Sequence, residues 1–91
     1  MSHTRIHVHY SGHVQGVGFR YNAARCARAY EVTGFVRNLS DGRVELVAEG
    51  DREHVEGLLD DIRQSMSGNI REVDMETGEP TGEFHDFGIT M

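Results

Sequence analysis

The chain has 91 residues, 37% hydrophobic and 26% charged, which suits one folded domain spanning residues 1–91 and excludes a disordered chain. No segment approaches the roughly 20 apolar residues of a membrane helix, and residues 1–9 lack the apolar run of a secretory signal, so we expect a cytoplasmic protein. The net charge of −6, with arginine as the only basic residue type besides histidine, argues against a nucleic acid partner, because nucleic acid binding needs basic patches.

The first half of the chain predicts a strand, a glycine-rich loop and a helix. In residues 5–11, Ile6, Val8 and Tyr10 alternate with polar residues, which is typical of a strand with one buried face. Three glycines follow within residues 12–18, so this loop needs backbone conformations that mainly glycine adopts. From Phe19 the apolar residues take helical spacing as far as about Tyr30.

The second half predicts a hairpin, a second helix and two further strands. The predicted elements are a strand at 33–39, a turn at 40–42, a strand at 43–49, a helix at 51–66 capped by Asp51, a strand at 70–75 and a short last strand at 84–89. The order βαββαβ with a terminal strand indicates an α+β fold, the ferredoxin-like split β-α-β sandwich. We therefore expect an antiparallel sheet with two helices on one face.

The loop 12–20 is the strongest candidate for a site. A glycine-rich loop that leads directly from a strand into a helix can turn its backbone N–H groups inward around an anion. The helix N-terminus adds free N–H groups and partial positive charge. Arg20, in the first helical turn, can hold a phosphate through two parallel hydrogen bonds. A tight turn beside an exposed arginine is the structural alternative.

Asn38 is the second candidate residue. In a split β-α-β unit the first two strands run in the same direction, so the loop after the first strand and the end of the second strand lie at the same sheet edge. Asn38, near the end of the second predicted strand, should then face the loop 12–20. Its amide can orient a water without titrating. Alternatively, Asn38 stabilises the turn at 40–42.

These two motifs resemble those of the acylphosphatase family. The residues that carry the resemblance are Gly12-His-Val-Gln-Gly-Val-Gly-Phe-Arg20, Gly34-Phe-Val-Arg-Asn38, Ser40-Asp-Gly-Arg-Val-Glu-Leu, Gly50 and Phe87-Gly-Ile. The resemblance implies a ferredoxin-like fold and metal-independent hydrolysis of acyl phosphates. By position, it implies that Arg20 binds the phosphate, that Asn38 orients the attacking water and that residues 15–19 form the phosphate cradle: Gln15, Gly16, Val17, Gly18 and Phe19. The chain departs from the family at Glu31, where a glycine usually follows the first helix.

We expect no catalytic or metal-binding role for the other polar residues. His7 and His9 share one face of a strand, but metal sites usually gather ligands from more than one element, so we expect solvent-facing histidines, no metal and no cofactor. The lone Cys26 is expected to be a small core or near-surface thiol. Four acidic residues are expected on solvated faces: Glu45, Glu49, Asp60 and Asp61.

Two other functions fit the predicted fold. A non-catalytic phosphate- or effector-binding regulatory module could use the same cradle without turnover. An RNA-binding ferredoxin-like module needs a basic surface and exposed aromatic residues on the sheet, which a chain of net charge −6 does not favour. We expect a monomer that acts on a small acyl phosphate.

Overall fold

The structure, a computed structural model, describes residues 2–90. Within them it contains two helices and five strands: β1 (His3–Gly12), α1 (Phe19–Ala27), β2 (Val32–Asn38), β3 (Val44–Asp51), α2 (Arg52–Ser65), β4 (Ile70–Gly78) and β5 (Phe87–Ile89). The predicted order of elements is confirmed. Phe84, which we expected in the last strand, precedes β5 and packs its ring against Phe35, with 5.8 Å between the ring centroids.

The five strands form one sheet in the order β4-β1-β3-β2-β5. Both β1 and β2 pair antiparallel with β3, so they run in the same direction, as the split β-α-β plan requires. The predicted α+β fold is confirmed, and its sheet is mixed, because the short terminal strand β5 pairs parallel with β2. After β4 the chain crosses the sheet to its opposite edge and enters β5 from the end at which β2 begins.

The core lies between the helices and one face of the sheet. The sheet contributes Val8, Val36 and Leu46, which are fully buried. From α2, the residues Val55, Leu58 and Ile62 are buried, and they follow the helical spacing of its apolar stripe. From α1, the buried residues are Phe19, Ala23 and Ala27. No helix within residues 2–90 is long and apolar enough to cross a membrane.

The start of α2 differs from expectation, and the end of α1 shows how the chain accommodates Glu31. Asp51 occupies the N-cap position of α2, but its side chain makes no capping hydrogen bond, and the Arg52 N–H donates to the Ser2 carbonyl oxygen at 2.9 Å. Glu31 stands where the family usually has a glycine, but its backbone is not left-handed: among the described residues, only glycines have a positive φ. Instead, the Glu31 N–H donates to Nδ1 of His54 at 2.9 Å.

Two acidic residues that we expected on solvated faces are buried. Glu45 is 8% exposed and Glu49 is 4% exposed. Both lie on β3 in the middle of the face opposite the helices, where arginines of the neighbouring strands and the segment 81–84 cover them. Alternation along a strand identifies the face of a residue, but it does not reveal that another segment covers that face. Asp60 is exposed, whereas Asp61 is half-buried and accepts a hydrogen bond from the Tyr30 hydroxyl at 2.7 Å.

Candidate active site

The loop between β1 and α1 depends on glycines at two positions. Gly16 and Gly18 have φ values of +77° and +79°, in the left-handed region. A Cβ at either position would meet no atom within 4 Å, so backbone conformation rather than crowding favours glycine there. The loop can therefore turn tightly and deliver the chain directly into α1.

The first turn of α1 presents free backbone donors. The hydrogen bond from the Asn22 N–H to the Gly18 carbonyl oxygen, at 3.0 Å, is the first of the helix. The N–H groups of Phe19, Arg20 and Tyr21 precede it and have no intrahelical acceptor. They therefore point out of the positive end of the helix, which favours an anion.

Arg20 and Asn38 line the same small cleft. Its volume is about 90 Å³. The residues around it are Val14, Gly16, Gly18, Phe19, Arg20, Tyr21 and Asn38. Arg20 is half-buried and forms no ion pair within residues 2–90, whereas Arg5, Arg37, Arg43, Arg52 and Arg63 each pair with a carboxylate. No described carboxylate lines the cleft, so Arg20 gives it uncompensated positive charge.

The Asn38 side chain contributes an unused buried acceptor. Its Oδ1 is buried and has no hydrogen-bond partner among the described residues. The neighbouring turn is closed without Asn38: the Leu39 N–H donates to the Arg43 carbonyl oxygen at 2.8 Å, and the Asp41 carboxylate accepts from the Arg43 N–H at 3.1 Å. The hydrogen bonds that the Arg43 N–H and the Arg43 Nε donate to this carboxylate hold the pKa of Asp41 below its ordinary value. The alternative interpretation of Asn38 as a turn-stabilising residue thus has no hydrogen bond to support it.

The other predicted cradle residues take different positions. Gln15 reaches away from the cleft, and its Nε2 donates to the carbonyl oxygens of Leu39 and Arg43 at 2.8 and 2.9 Å. Gln15 therefore ties the loop to the β2–β3 hairpin. The Val17 side chain packs against the core and does not line the cleft.

Phe19 borders the cleft but has a core side chain. It is 2% exposed, and its ring packs against Tyr10 with 4.9 Å between centroids. Burial raises the pKa of Tyr10 well above its ordinary value, so its hydroxyl stays neutral. Any contact of Phe19 with a ligand is therefore made by its backbone N–H, while the ring anchors the start of α1 to β1.

Two cleft residues were not identified from the sequence. Val14, 1% exposed, forms part of the wall, and Tyr21, 74% exposed, stands at the rim. Both positions lie inside or next to the loop 12–20. Their position in or beside the loop was the only indication in the sequence that they line the cleft. An apolar residue and an exposed tyrosine have no chemical pattern that marks them as cleft residues.

A second group of polar residues lies outside this cleft. His7 and His9 do lie on the face of the sheet opposite the helices, as expected, but Glu45 of β3 lies beside them. One potential ligand atom from each residue lies within 4.8 Å of the others. This convergence depends on the pairing of β1 with β3 and was not predicted.

The fold and the cleft define a ferredoxin-like α+β protein. At the N-terminus of α1, its cleft is lined by an arginine that forms no ion pair within residues 2–90 and by an asparagine of β2 whose Oδ1 is buried. A family model described as acylphosphatase matches residues 6–89. The chain is 48% identical over 86 residues to an acylphosphatase of Methylococcus capsulatus, covering 93% of this chain and 94% of that protein. It is 44% identical over 90 residues to an acylphosphatase of Roseiflexus sp., covering 98% and 97%.

Among solved structures, the acylphosphatase of Bacillus subtilis is similar with a TM-score of 0.86 and 26% identity. The match covers 97% of this chain and 99% of that one. The chain therefore belongs to the acylphosphatase family. It is an enzyme that hydrolyses acyl phosphates, and the alternative of a non-catalytic regulatory module is not favoured.

Proposed function

We propose that Arg20 and the N–H groups of the loop 12–20 and the first turn of α1 bind the phosphoryl group, and that Asn38 orients the attacking water. The observation that carries this proposal is that two residues with an unsatisfied polar group line one cleft. The guanidinium of Arg20 has no carboxylate partner, and the buried Oδ1 of Asn38 has no donor within residues 2–90. A bound phosphate and its attacking water would satisfy both.

In this proposal, Arg20 and Asn38 have distinct tasks in the reaction. Water attacks phosphorus, the P–O bond to the acyl group breaks, and a carboxylate leaves while inorganic phosphate forms. Negative charge stays on the phosphoryl oxygens, where Arg20 and the backbone N–H groups stabilise it through preorganised hydrogen bonds. The Oδ1 of Asn38 accepts a hydrogen bond from the water and holds it in line with phosphorus.

The reaction in this proposal needs neither a strong base nor a metal. A carboxylate is a good leaving group, so positioning and charge stabilisation supply most of the catalysis. The proton of the attacking water passes to the phosphate product. The cleft volume of about 90 Å³ accommodates little beyond the phosphoryl group, so the acyl part of the substrate projects toward solvent past Tyr21.

The proposal also covers the substrate, the oligomeric state and the cellular location of the enzyme. The substrate is a small acyl phosphate, the chain acts as a monomer, and it works in the cytoplasm. The acylphosphatase relatives and the small volume of the cleft, about 90 Å³, support a small acyl phosphate as the substrate.

The test compares Arg20→Ala with Arg28→Ala, which removes an exposed arginine at the end of the same helix. With a synthetic acyl phosphate, Arg20→Ala should lower kcat/KM by about 10²–10³, because the lost donor acts on the transition state. Its inhibition constant for inorganic phosphate should rise about 10-fold or more, because hydrogen bonds to charged groups contribute about 1.5–3 kcal/mol. Arg28→Ala should match wild type in both measurements. Wild-type phosphate inhibition in Arg20→Ala, with cooperative unfolding retained, would show that Arg20 does not bind the anion.

A further inference from the structure

His7, His9 and Glu45 meet on the face of the sheet opposite the helices. His7 and His9 are two residues apart on β1, so their side chains emerge on the same face. The register places Glu45 of β3 directly opposite His9. Three donors from two strands therefore share one position on this face, which removes the objection that the histidines come from a single element.

The distances are close to those of a zinc-type site. The Nε2 of His7 lies 2.6 Å from the Oε2 of Glu45, and the Nε2 of His9 lies 3.9 Å from the same oxygen. Zinc bonds nitrogen and carboxylate oxygen at about 2.0–2.2 Å, so tetrahedral ligands lie about 3.4 Å apart. The two N–O distances fall on both sides of that value, and small rotations of the two half-buried imidazole rings would equalise them.

Glu45 is held in place by a partner outside the cluster. Its Oε1 accepts a hydrogen bond from the Nε of Arg37 at 2.6 Å, which leaves Oε2 directed at the two histidines. The residue is 8% exposed, so its carboxylate has little freedom to turn away. A metal-binding carboxylate is commonly oriented by such an outer hydrogen bond.

The strand on the other side of the histidines adds negative charge. In the β1–β4 register, Asp74 lies opposite His9 and Glu76 lies opposite His7. Both acidic residues line surface clefts next to the histidines. These carboxylates attract a cation to the site.

We propose that His7, His9 and Glu45 form a binding site for a divalent cation of the zinc class. Two imidazole nitrogens with one carboxylate suit Zn²⁺ and Co²⁺ better than Mg²⁺ or Ca²⁺, which prefer oxygen ligands. The site shares no residue with the cleft of Arg20 and Asn38, so the cation is not part of the hydrolytic reaction. Bound metal would link β1 to β3 at the centre of the sheet.

The test is a titration of the full chain, freed of metal by chelator, with Zn²⁺ at pH 7.5. One zinc ion should bind per chain, and excess Mg²⁺ should not displace it. His9→Gln is the informative variant, because it removes one ligand but keeps the hydrogen bond between His7 and Glu45. It should weaken zinc binding by about 10-fold or more. His85→Gln, which removes an exposed histidine outside the cluster, should bind zinc as wild type does.

Cobalt gives a second readout that does not depend on affinity alone. Co²⁺ bound by two nitrogens and a carboxylate in tetrahedral geometry should give intense visible absorption in wild type and in His85→Gln, and a weaker or altered spectrum in His9→Gln. Circular dichroism would confirm that each variant is folded. Equal zinc affinity and equal cobalt spectra in wild type and His9→Gln would overturn the proposal. The absence of stoichiometric binding by wild type would also overturn it, leaving His7 and Glu45 as a hydrogen-bonded pair.

Discussion

Replacing Glu49 with glutamine should lower the free energy of unfolding by an amount that depends on pH. The Glu49 carboxylate accepts hydrogen bonds from the Arg5 guanidinium at 2.6 Å, from the N–H and hydroxyl of Thr81 at 2.9 Å each, and from the Gly82 N–H at 3.0 Å. These contacts fasten the crossing segment that leads from β4 to β5. A neutral amide keeps the shape of the carboxylate but cannot accept from all of these donors.

The pKa of Glu49 sets the size of the effect. Burial by itself raises this pKa, but the hydrogen bonds from Thr81, Arg5 and Gly82 lower it more, from 4.5 to about 2. That difference corresponds to at most ~3 kcal/mol of stability at neutral pH, and solvent screening reduces it to ~2 kcal/mol. The pKa of Glu49 is lower in the folded protein than in the unfolded chain. The contribution of Glu49 to stability is therefore complete above about pH 4.5 and fades as the pH falls toward 2.

Urea unfolding followed by circular dichroism at pH 7 and at pH 3 measures this dependence. At pH 7 the free energy of unfolding of the wild-type protein should exceed that of Glu49→Gln by ~2 kcal/mol. At pH 3 less than half of this difference between the two proteins should remain. Glu79→Gln, which alters an exposed carboxylate next to the same segment, should stay within ~0.5 kcal/mol of wild type at both pH values. An equal difference between wild type and Glu49→Gln at both pH values would refute the assignment of the low pKa to Glu49.

Three further predictions concern the active site. Asn38→Ala should lower kcat by about 10²–10³ with little change in phosphate inhibition, whereas Asn38→Asp should also weaken phosphate inhibition through charge repulsion; wild-type kcat in both variants would exclude Asn38 from water positioning. Gln15→Leu removes two hydrogen bonds to the β2–β3 hairpin and should lower the free energy of unfolding by ~1–3 kcal/mol together with kcat, and unchanged values for both would show that this tie is dispensable. Removal of metal by EDTA should leave steady-state hydrolysis unchanged, and activity lost to EDTA and restored by one specific metal would contradict the metal-independent reaction.

Much of the fold follows from local sequence patterns. Alternation in Ile6, Val8 and Tyr10 and the helical stripe of α2 are short-range signals, because side-chain direction depends on backbone geometry alone. The glycines of the loop 12–20 indicate, by residue type alone, that the backbone there needs conformations that mainly glycine adopts. The position of Asn38 at the sheet edge beside that loop could also be predicted, since it depends only on the direction of β1 and β2.

Side-chain partners could not be predicted in the same way. The two hairpin residues to which Gln15 is hydrogen-bonded lie 24 and 28 positions after it in the sequence. The contact of Glu49 with Thr81 spans 32 positions. The pairing of His7 with Glu45 spans 38 positions. Each depends on strand register and on the path of a connecting segment, neither of which is encoded locally.

The sequence by itself therefore determined the order of elements, the glycine-rich loop and the family resemblance from which we propose Arg20 and Asn38 as site residues, because these depend on residue type and spacing. Only the tertiary structure decided that Glu45 and Glu49 are buried, that β5 runs parallel to β2 and that the Asn38 Oδ1 has no partner within residues 2–90. The physical reason is that burial and hydrogen-bond satisfaction belong to pairs of distant segments. Alternation places a carboxylate on one side of a strand, but the segment 81–84 and the neighbouring arginines determine whether water reaches it.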